Sequence, residues 1–117
     1  KILGRHAYET KNDNLLRTLS REENMWSKRM AIVATMFHVK RGEFSLLKEL
    51  ALYNLQYPHD LMHKANGWLL REMGNKNVAE LHGFLETNYR NMPRTTLRYA
   101  IEKFDEDLRQ DFLKGRI

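Results

Sequence analysis

The sequence contains no cysteine, and this absence excludes several kinds of chemistry. Without thiols the chain forms no disulfide, has no cysteine nucleophile and offers no sulfur ligand to zinc. A chain without disulfides suits the reducing environment of the cytoplasm, so a cytoplasmic location is our expectation.

Proline and glycine are also scarce, with two and six copies in 117 residues. They leave little material for the turns of a β-rich fold, and no segment shows the strict alternation of apolar and polar residues that is typical of strands. No apolar run approaches the roughly 20 residues needed to cross a bilayer, so we expect no membrane association. The glycine motifs of P-loop, dinucleotide-binding and serine hydrolase sites are absent as well.

The sequence is instead rich in helix signals. Asn24 is placed to cap a long helix that reaches about His38, Asp60 to cap a helix that stops at Gly74, and Pro93 to start another. These starts recur roughly every 35 residues, which is the length of a helix-pair repeat. We therefore predict an all-α fold, an α-solenoid of about eight helices stacked as antiparallel pairs.

The charge balance favours a polyanionic partner. Twenty Lys and Arg residues against 15 Asp and Glu give a formal net charge of +5. An excess of this size is a moderate bias, and it makes nucleic acid the first partner to consider.

The helix that begins near Asp60 carries an aromatic residue between two cations. At 100° per residue, Lys64, Trp68 and Arg71 fall within an arc of about 60°. A cation–aromatic–cation face suits a sugar–phosphate backbone. The alternative is that Trp68 packs in the core and the two cations flank it in water.

Three further arginines lie at the edges of apolar helix faces. Arg29 stands one turn before Ile32 and Val33, where a guanidinium must either find an anion or extend to water. Arg94 and Arg98 are spaced i, i+4 and repel each other unless an anion lies between them. A solvated pair is the alternative.

His59 and His63 have the i, i+4 spacing of two metal ligands on one helix. The intervening Asp-Leu-Met does not fit the zinc-protease pattern, and no third ligand stands out. We predict no metal site.

The order of these motifs resembles that of DNA alkylation repair enzymes built from HEAT-like helical repeats. The resemblance covers nearly the whole chain. It is carried by four stretches: Ile2-Leu3-Gly4; Asn24-x-Trp26-x-x-Arg29-x-Ala31-Ile32; Asp60-Leu61-x-His63-Lys64-Ala65-x-Gly67-Trp68-x-Leu70-Arg71-Glu72; and Met92-Pro93-Arg94-x-x-Leu97-Arg98-Tyr99-Ala100-Ile101-Glu102-Lys103-Phe104.

The resemblance implies DNA repair by a monofunctional DNA glycosylase. Such an enzyme hydrolyses the N-glycosidic bond of N3- or N7-alkylated purines in duplex DNA, and it needs no metal or organic cofactor. The alternatives from other functional classes are a non-catalytic HEAT-like DNA-binding scaffold and a protein–protein adaptor.

The resemblance also implies roles for individual residues. Arg29 matches an active-site arginine that binds backbone phosphate near the lesion, and Trp68 matches an aromatic wall of the lesion site. These two are the expected catalytic-site residues. Trp26 matches a position that we interpret as structural. The expected DNA-binding residues are Arg29, Lys64, Arg71, Arg94 and Arg98.

One part of the family pattern is missing. The catalytic Asp belongs to a Trp-Asp-x-x-Asp segment immediately upstream of Ile2, but the sequence starts at Lys1. We therefore expect residues 1–117 to be a single domain that forms the C-terminal part of a longer solenoid, and to be inactive alone. We also expect an exposed apolar face where upstream helices would stack, with self-association or disorder at residues 1–12.

Overall fold

The computed structural model describes residues 13–117, and all regular structure within that range is helical. The α-helices in chain order are α1 (Asp13–Arg21), α2 (Met25–Ala34), α3 (Met36–Lys40), α4 (Ser45–Tyr53), α5 (Asp60–Lys76), α6 (Val78–Asn88), α7 (Arg94–Ala100) and α8 (Glu106–Leu113). A short 3-10 helix, Tyr89–Asn91, follows α6. Between residues 13 and 117, no helix is long and apolar enough to cross a membrane.

Helix α5 lies at the centre of the molecule. It packs against α2, α3, α4, α6 and α7, while α1 packs on α2 and α4, and α8 packs on α7. Because each helix rests mainly on close neighbours in the chain, the arrangement is compatible with an α-solenoid. The largest fully buried apolar side chains are Leu16, Ile32, Leu47, Met62, Leu69, Leu70, Met73, Leu81, Leu85, Leu97, Ile101 and Phe112.

Lys28 of α2 contacts α1 and the end of α4. The side chain is only 6% exposed. Its Nζ donates to the backbone oxygen of Ser20 at 2.9 Å and to Oδ1 of Asn54 at 3.0 Å, and it lies 4.9 Å from the centroid of the Tyr57 ring. Loss of solvent lowers the pKa of Lys28, an effect that the charge of Glu23 partly opposes. These contacts fix α2 against α1 and the end of α4.

Gly67 allows α5 and α7 to approach closely. A Cβ at this position would lie 2.5 Å from Cβ of Tyr99 and 2.7 Å from the backbone oxygen of Thr96. The hydroxyl of Thr96 donates to the backbone oxygen of His63 at 2.9 Å, so a hydrogen bond also holds the two helices together. The position of α7 relative to α5 is therefore tightly defined.

The prediction of one continuous helix from Asn24 to about His38 is wrong, because the helix is interrupted. Asn24 does cap it, since its Oδ1 accepts from the N–H of Trp26 at 2.8 Å. However, α2 ends at Ala34 and α3 begins at Met36. At Thr35 both the backbone N–H and the hydroxyl donate to the backbone oxygen of Ile32, at 3.1 and 2.6 Å. This local bonding replaces the regular i−4 pattern.

Two other predicted boundaries are also wrong. The cap of α5 is His59, whose Nδ1 accepts from the N–H of Leu61 at 3.2 Å, and Asp60 is the first helical residue. Gly74 does not stop α5, which continues to Lys76; a Cβ on this glycine would lie 2.5 Å from Cδ2 of Leu81. Gly74 therefore serves helix packing.

The expected helix start at Pro93 is one residue early, because Pro93 occupies the cap position before α7. The Ile2-Leu3-Gly4 motif and the expected self-association or disorder at residues 1–12 lie outside the described residues.

Candidate nucleic-acid interface

Three helices that pack side by side, α2, α5 and α7, together form an open cleft of about 240 Å³. Helix α2 contributes one residue, α5 contributes four residues on one face, and α7 contributes one. The lining residues are Arg29, Leu61, Lys64, Ala65, Trp68 and Tyr99. The cleft thus brings together three of the residues predicted from the sequence.

The α5 side of the cleft follows directly from helical periodicity. Leu61, Lys64, Ala65 and Trp68 are spaced at intervals of three and four residues, so they share one face. The opposite face of α5 is buried. A rigid helix therefore presents a cation and an indole to the cleft with a fixed spacing.

Arg29 is exposed and reaches the solvent within this cleft. Among residues 13–117 it has no hydrogen-bond or ion-pair partner, so its guanidinium retains all of its donors for a ligand. A guanidinium with free donors recognises phosphate and carboxylate oxygens. Arg29 is therefore an available anion-binding group.

Lys64 is the second cation of the cleft. Its Nζ lies 3.2 Å from Oδ2 of Asp60, one turn earlier on α5. The hydrogen bond to Asp60 raises the pKa of Lys64, with smaller contributions from the charge of Asp60 and from Tyr99. Lys64 consequently stays protonated at neutral pH, and an exposed pair of this kind is weak enough to yield to a phosphate.

Trp68 combines both interpretations offered by its sequence position. The indole is half-buried and packs against the hydrophobic core, yet it also lines the cleft. Burial of one side restricts the ring, and the open side offers an aromatic surface. An indole held in this way suits a base or a deoxyribose.

Tyr99 is the cleft residue that sequence reasoning missed. The buried side chains of α7 are Thr96, Leu97 and Ala100, and Tyr99 lies at the edge of that face. Trp68 was singled out because cations flank it on one helix, whereas the partners of Tyr99 are on other helices. Two signals were available: an aromatic residue at the edge of an apolar helix face, and its place in the stretch of residues 92–104 that carries the family resemblance.

Arg71 does not line the cleft, although the helical arc places it near Lys64 and Trp68. Its Nη1 lies 2.7 Å from Oε1 of Glu102, just beyond the end of α7. Arg71 instead lines a small cavity of about 60 Å³, together with Lys103 and Phe104. A neighbouring carboxylate thus engages this guanidinium.

Arg94 and Arg98 differ in their contacts. Nη1 of Arg94 donates to the backbone oxygen of Leu113 at 2.6 Å, at the end of α8, and Arg94 lines a separate cleft of about 340 Å³ with Arg90 and Lys114. Arg98 is exposed and, within the described part of the chain, has no ion-pair partner.

Trp26 is 62% exposed on α2, one turn before Arg29. Packing within the described core does not account for this residue, so its structural role stays a prediction.

The two histidines considered as metal ligands bond to the backbone. Nδ1 of His59 accepts from the N–H of Leu61, and Nε2 of His63 lies 2.7 Å from the backbone oxygen of Tyr57. For residues 13–117, no group of three or more His, Asp or Glu side chains is arranged to hold a metal ion.

Comparison with known proteins adds one finding to this geometry. Residues 1–104 match the family model described as DNA alkylation repair enzyme. No curated protein and no solved structure matches the chain. The matched range includes every residue of the cleft.

Proposed function

The chain belongs to the DNA alkylation repair enzyme family, and from this premise we propose that it forms part of a DNA glycosylase acting on alkylated purines. Membership supports a role in DNA repair with DNA as the substrate. The finer proposal is that the protein hydrolyses the N-glycosidic bond of N3- and N7-alkylated purines in duplex DNA.

The observation that carries this proposal is the composition of the cleft. Arg29, which has no partner among residues 13–117, and the weakly paired Lys64 line the same cleft as the aromatic side chains of Trp68 and Tyr99. Cations supply phosphate binding, and aromatic faces supply contact with a sugar or a base. No carboxylate is among the residues that line the described cleft, and Asp60 partly offsets the charge of Lys64 from outside it.

The reaction explains why such a site suffices for part of the catalysis. An N-alkylated purine carries a positive charge, so it leaves with the electron pair of its bond to C1′, and positive charge builds on the deoxyribose. The π face of Trp68 favours a cation beside it. Water then forms the new bond to C1′ and releases its proton to a carboxylate. This hydrolysis requires no redox step.

The family resemblance assigns that carboxylate to a segment preceding Lys1. The proposal for residues 1–117 therefore concerns the binding side of the active site: Arg29 holds a phosphate near the lesion, and Trp68 forms one wall. Arg71, Arg94 and Arg98 are proposed to contact the DNA backbone farther along the duplex. Arg71 would exchange Glu102 for a phosphate oxygen.

The same proposal covers the architecture and the location of the protein. The pairs α1/α2, α4/α5 and α6/α7 are proposed to be HEAT-like repeats; the packing of α1 on α2 and of α4 on α5 supports the first two pairs. The row α2, α5, α7 would then be the DNA-facing side. The proposed location is the cytoplasm, whose reducing environment suits a chain without cysteine.

Salt dependence of duplex binding tests whether the cleft binds DNA. The affinity of this chain for a fluorescein-labelled duplex should fall steeply with salt, with a log–log slope of about −0.9 per phosphate contact. Arg29→Gln and Lys64→Gln should each make the slope shallower by about 1.

Lys76→Gln is the matched control for Lys64→Gln. It removes the same charge from the same helix, but Lys76 does not line the cleft. The proposal fails if duplex binding is independent of salt, or if the Lys76 variant changes the slope as much as the Lys64 variant.

A further inference from the structure

The hydroxyl of Tyr99 is a functional group to which the proposed function assigns no role. It lines the cleft on the side formed by α7, and it is only partly buried. Tyr57 and Tyr89 use their hydroxyls to bond backbone oxygens, at 3.2 and 3.1 Å. The Tyr99 hydroxyl, by contrast, has no hydrogen-bond partner among residues 13–117.

The position of this tyrosine is unusually well fixed. Helix α7 lies so close to Gly67 that a Cβ on this glycine would overlap Cβ of Tyr99. The hydrogen bond from Thr96 to His63 holds the same turn of α7 against α5. Gly67 immediately precedes Trp68, so the close approach also sets the placement of the two aromatic residues relative to each other. The contacts of Gly67 and Thr96 thus fix the backbone and Cβ of Tyr99, and its hydroxyl takes no part in them.

The surroundings of the hydroxyl favour one kind of ligand. Lys64 and Arg29 both line the same cleft as Tyr99. A phenol beside two cations acts as a neutral hydrogen-bond donor to the anion that those cations attract. A phosphate oxygen bonded by both charged and neutral donors is better oriented than one bonded by point charges alone.

Resting on the function proposed above, we propose that Tyr99 is a DNA-positioning residue whose hydroxyl donates a hydrogen bond to the backbone phosphate bound by Arg29 and Lys64. Gly67 supports this role through the placement of α7. The tyrosine thereby fixes where the phosphate sits, and so where the adjacent nucleotide lies against Trp68.

The test uses the full chain and a short fluorescein-labelled duplex with one tetrahydrofuran abasic site. Tyr99→Phe keeps the ring and removes only the donor, so affinity should fall about 10-fold, as expected for a lost hydrogen bond to a charged group. The salt slope should not change, because no charge is removed. A role in packing alone would leave the affinity of the Phe variant unaltered.

Tyr53→Phe is the matched control, since Tyr53 is 55% exposed and does not line this cleft. Its affinity should equal that of the wild-type chain. Thermal unfolding of both variants should coincide with wild type, which excludes a loss of fold as the cause.

Replacing single phosphates by uncharged methylphosphonates identifies the acceptor. At one backbone position the replacement should abolish the difference between wild type and Tyr99→Phe. The inference alone is overturned if the wild-type chain binds the duplex and Tyr99→Phe binds equally well, or if no phosphonate position removes the difference. If wild type does not bind duplex DNA at all, the proposed function fails and this inference fails with it.

Discussion

Adding a single methyl group at Gly67 should separate the two central helices of the cleft. The Cβ of Gly67→Ala would lie 2.5 Å from Cβ of Tyr99 and 2.7 Å from the backbone oxygen of Thr96. Neither atom is the end of a flexible side chain, so α7 must move as a unit. Overpacking of this kind costs about 1–3 kcal/mol, and contacts this short belong at the upper end.

The substitution also stabilises the helix, and this gain must be subtracted from the cost of overpacking. Alanine is favoured over glycine inside a helix by about 1 kcal/mol. We therefore expect a net loss of about 2 kcal/mol in the free energy of unfolding, from about 3 kcal/mol of overpacking less about 1 kcal/mol of helix propensity.

Gly83→Ala is the matched control for this measurement. Gly83 is exposed within α6, and a Cβ there would meet no atom within 4 Å. Only the propensity gain remains, so this variant should be stabilised by about 1 kcal/mol. Urea unfolding followed by far-ultraviolet circular dichroism should therefore separate the two variants by about 3 kcal/mol. Equal stabilities would refute the close approach of α5 and α7.

The same variant reports on the cleft. If α7 moves, Tyr99 moves relative to Trp68, and the affinity for duplex DNA should fall in Gly67→Ala but not in Gly83→Ala. The comparison is made at a temperature at which both variants are folded. Unchanged affinity in a destabilised Gly67→Ala would show that the position of α7 does not matter for binding.

Three further predictions follow from individual contacts. Glu102→Gln frees Arg71 and removes a negative charge, so duplex affinity should rise a few-fold in a binding titration; lower affinity would exclude Arg71 as a DNA contact. Arg94→Ala leaves the Leu113 oxygen without its donor, so urea unfolding should show a loss of about 1 kcal/mol, and an unchanged midpoint would contradict this contact. Burial lowers the pKa of Lys28 below its unfolded value, so the unfolded chain binds more protons just below the ordinary lysine pKa of about 10.4. The stability of wild type relative to Lys28→Met should therefore rise as the pH approaches that value, and a constant difference across the pH series would contradict the lowered pKa.

Local signals were sufficient to predict the helical class and several helix ends. Asn24 caps α2 as expected, and Asp105 caps α8 in the same way, because a side-chain oxygen before a helix bonds to free N–H groups wherever the rest of the chain lies. Gly42 adopts a φ of 77° after α3, as a helix-stopping glycine should. These features depend on a few consecutive residues.

One error arises from a contact between helices and another from a local side-chain hydrogen bond. Gly74 is a residue that often ends a helix, but it lies within α5. Its lack of a side chain is used instead to let Leu81 of α6 pack against it. The bond from the Thr35 hydroxyl to Ile32 interrupts a helix that no glycine or proline marks. In each case the decisive partner is not evident from helical periodicity.

The residues of the candidate site likewise fall into those predictable from local spacing and those that depend on helix packing. Lys64 and Trp68 share a helix face, so their proximity could be predicted from spacing. The addition of Tyr99 and the engagement of Arg71 by Glu102 depend on how α7 packs against α5, which spacing does not reveal.

The most direct test of the central claim is the release of 7-methylguanine and 3-methyladenine from methylated duplex DNA. The chain is assayed beside a version extended upstream through the expected catalytic Asp, and the extended version is also assayed with Arg29→Ala or Trp68→Ala. The account predicts base release by the extended protein alone, with slower release in both variants. Retained, salt-sensitive DNA binding without base release by either protein would contradict it and indicate a non-catalytic DNA-binding scaffold.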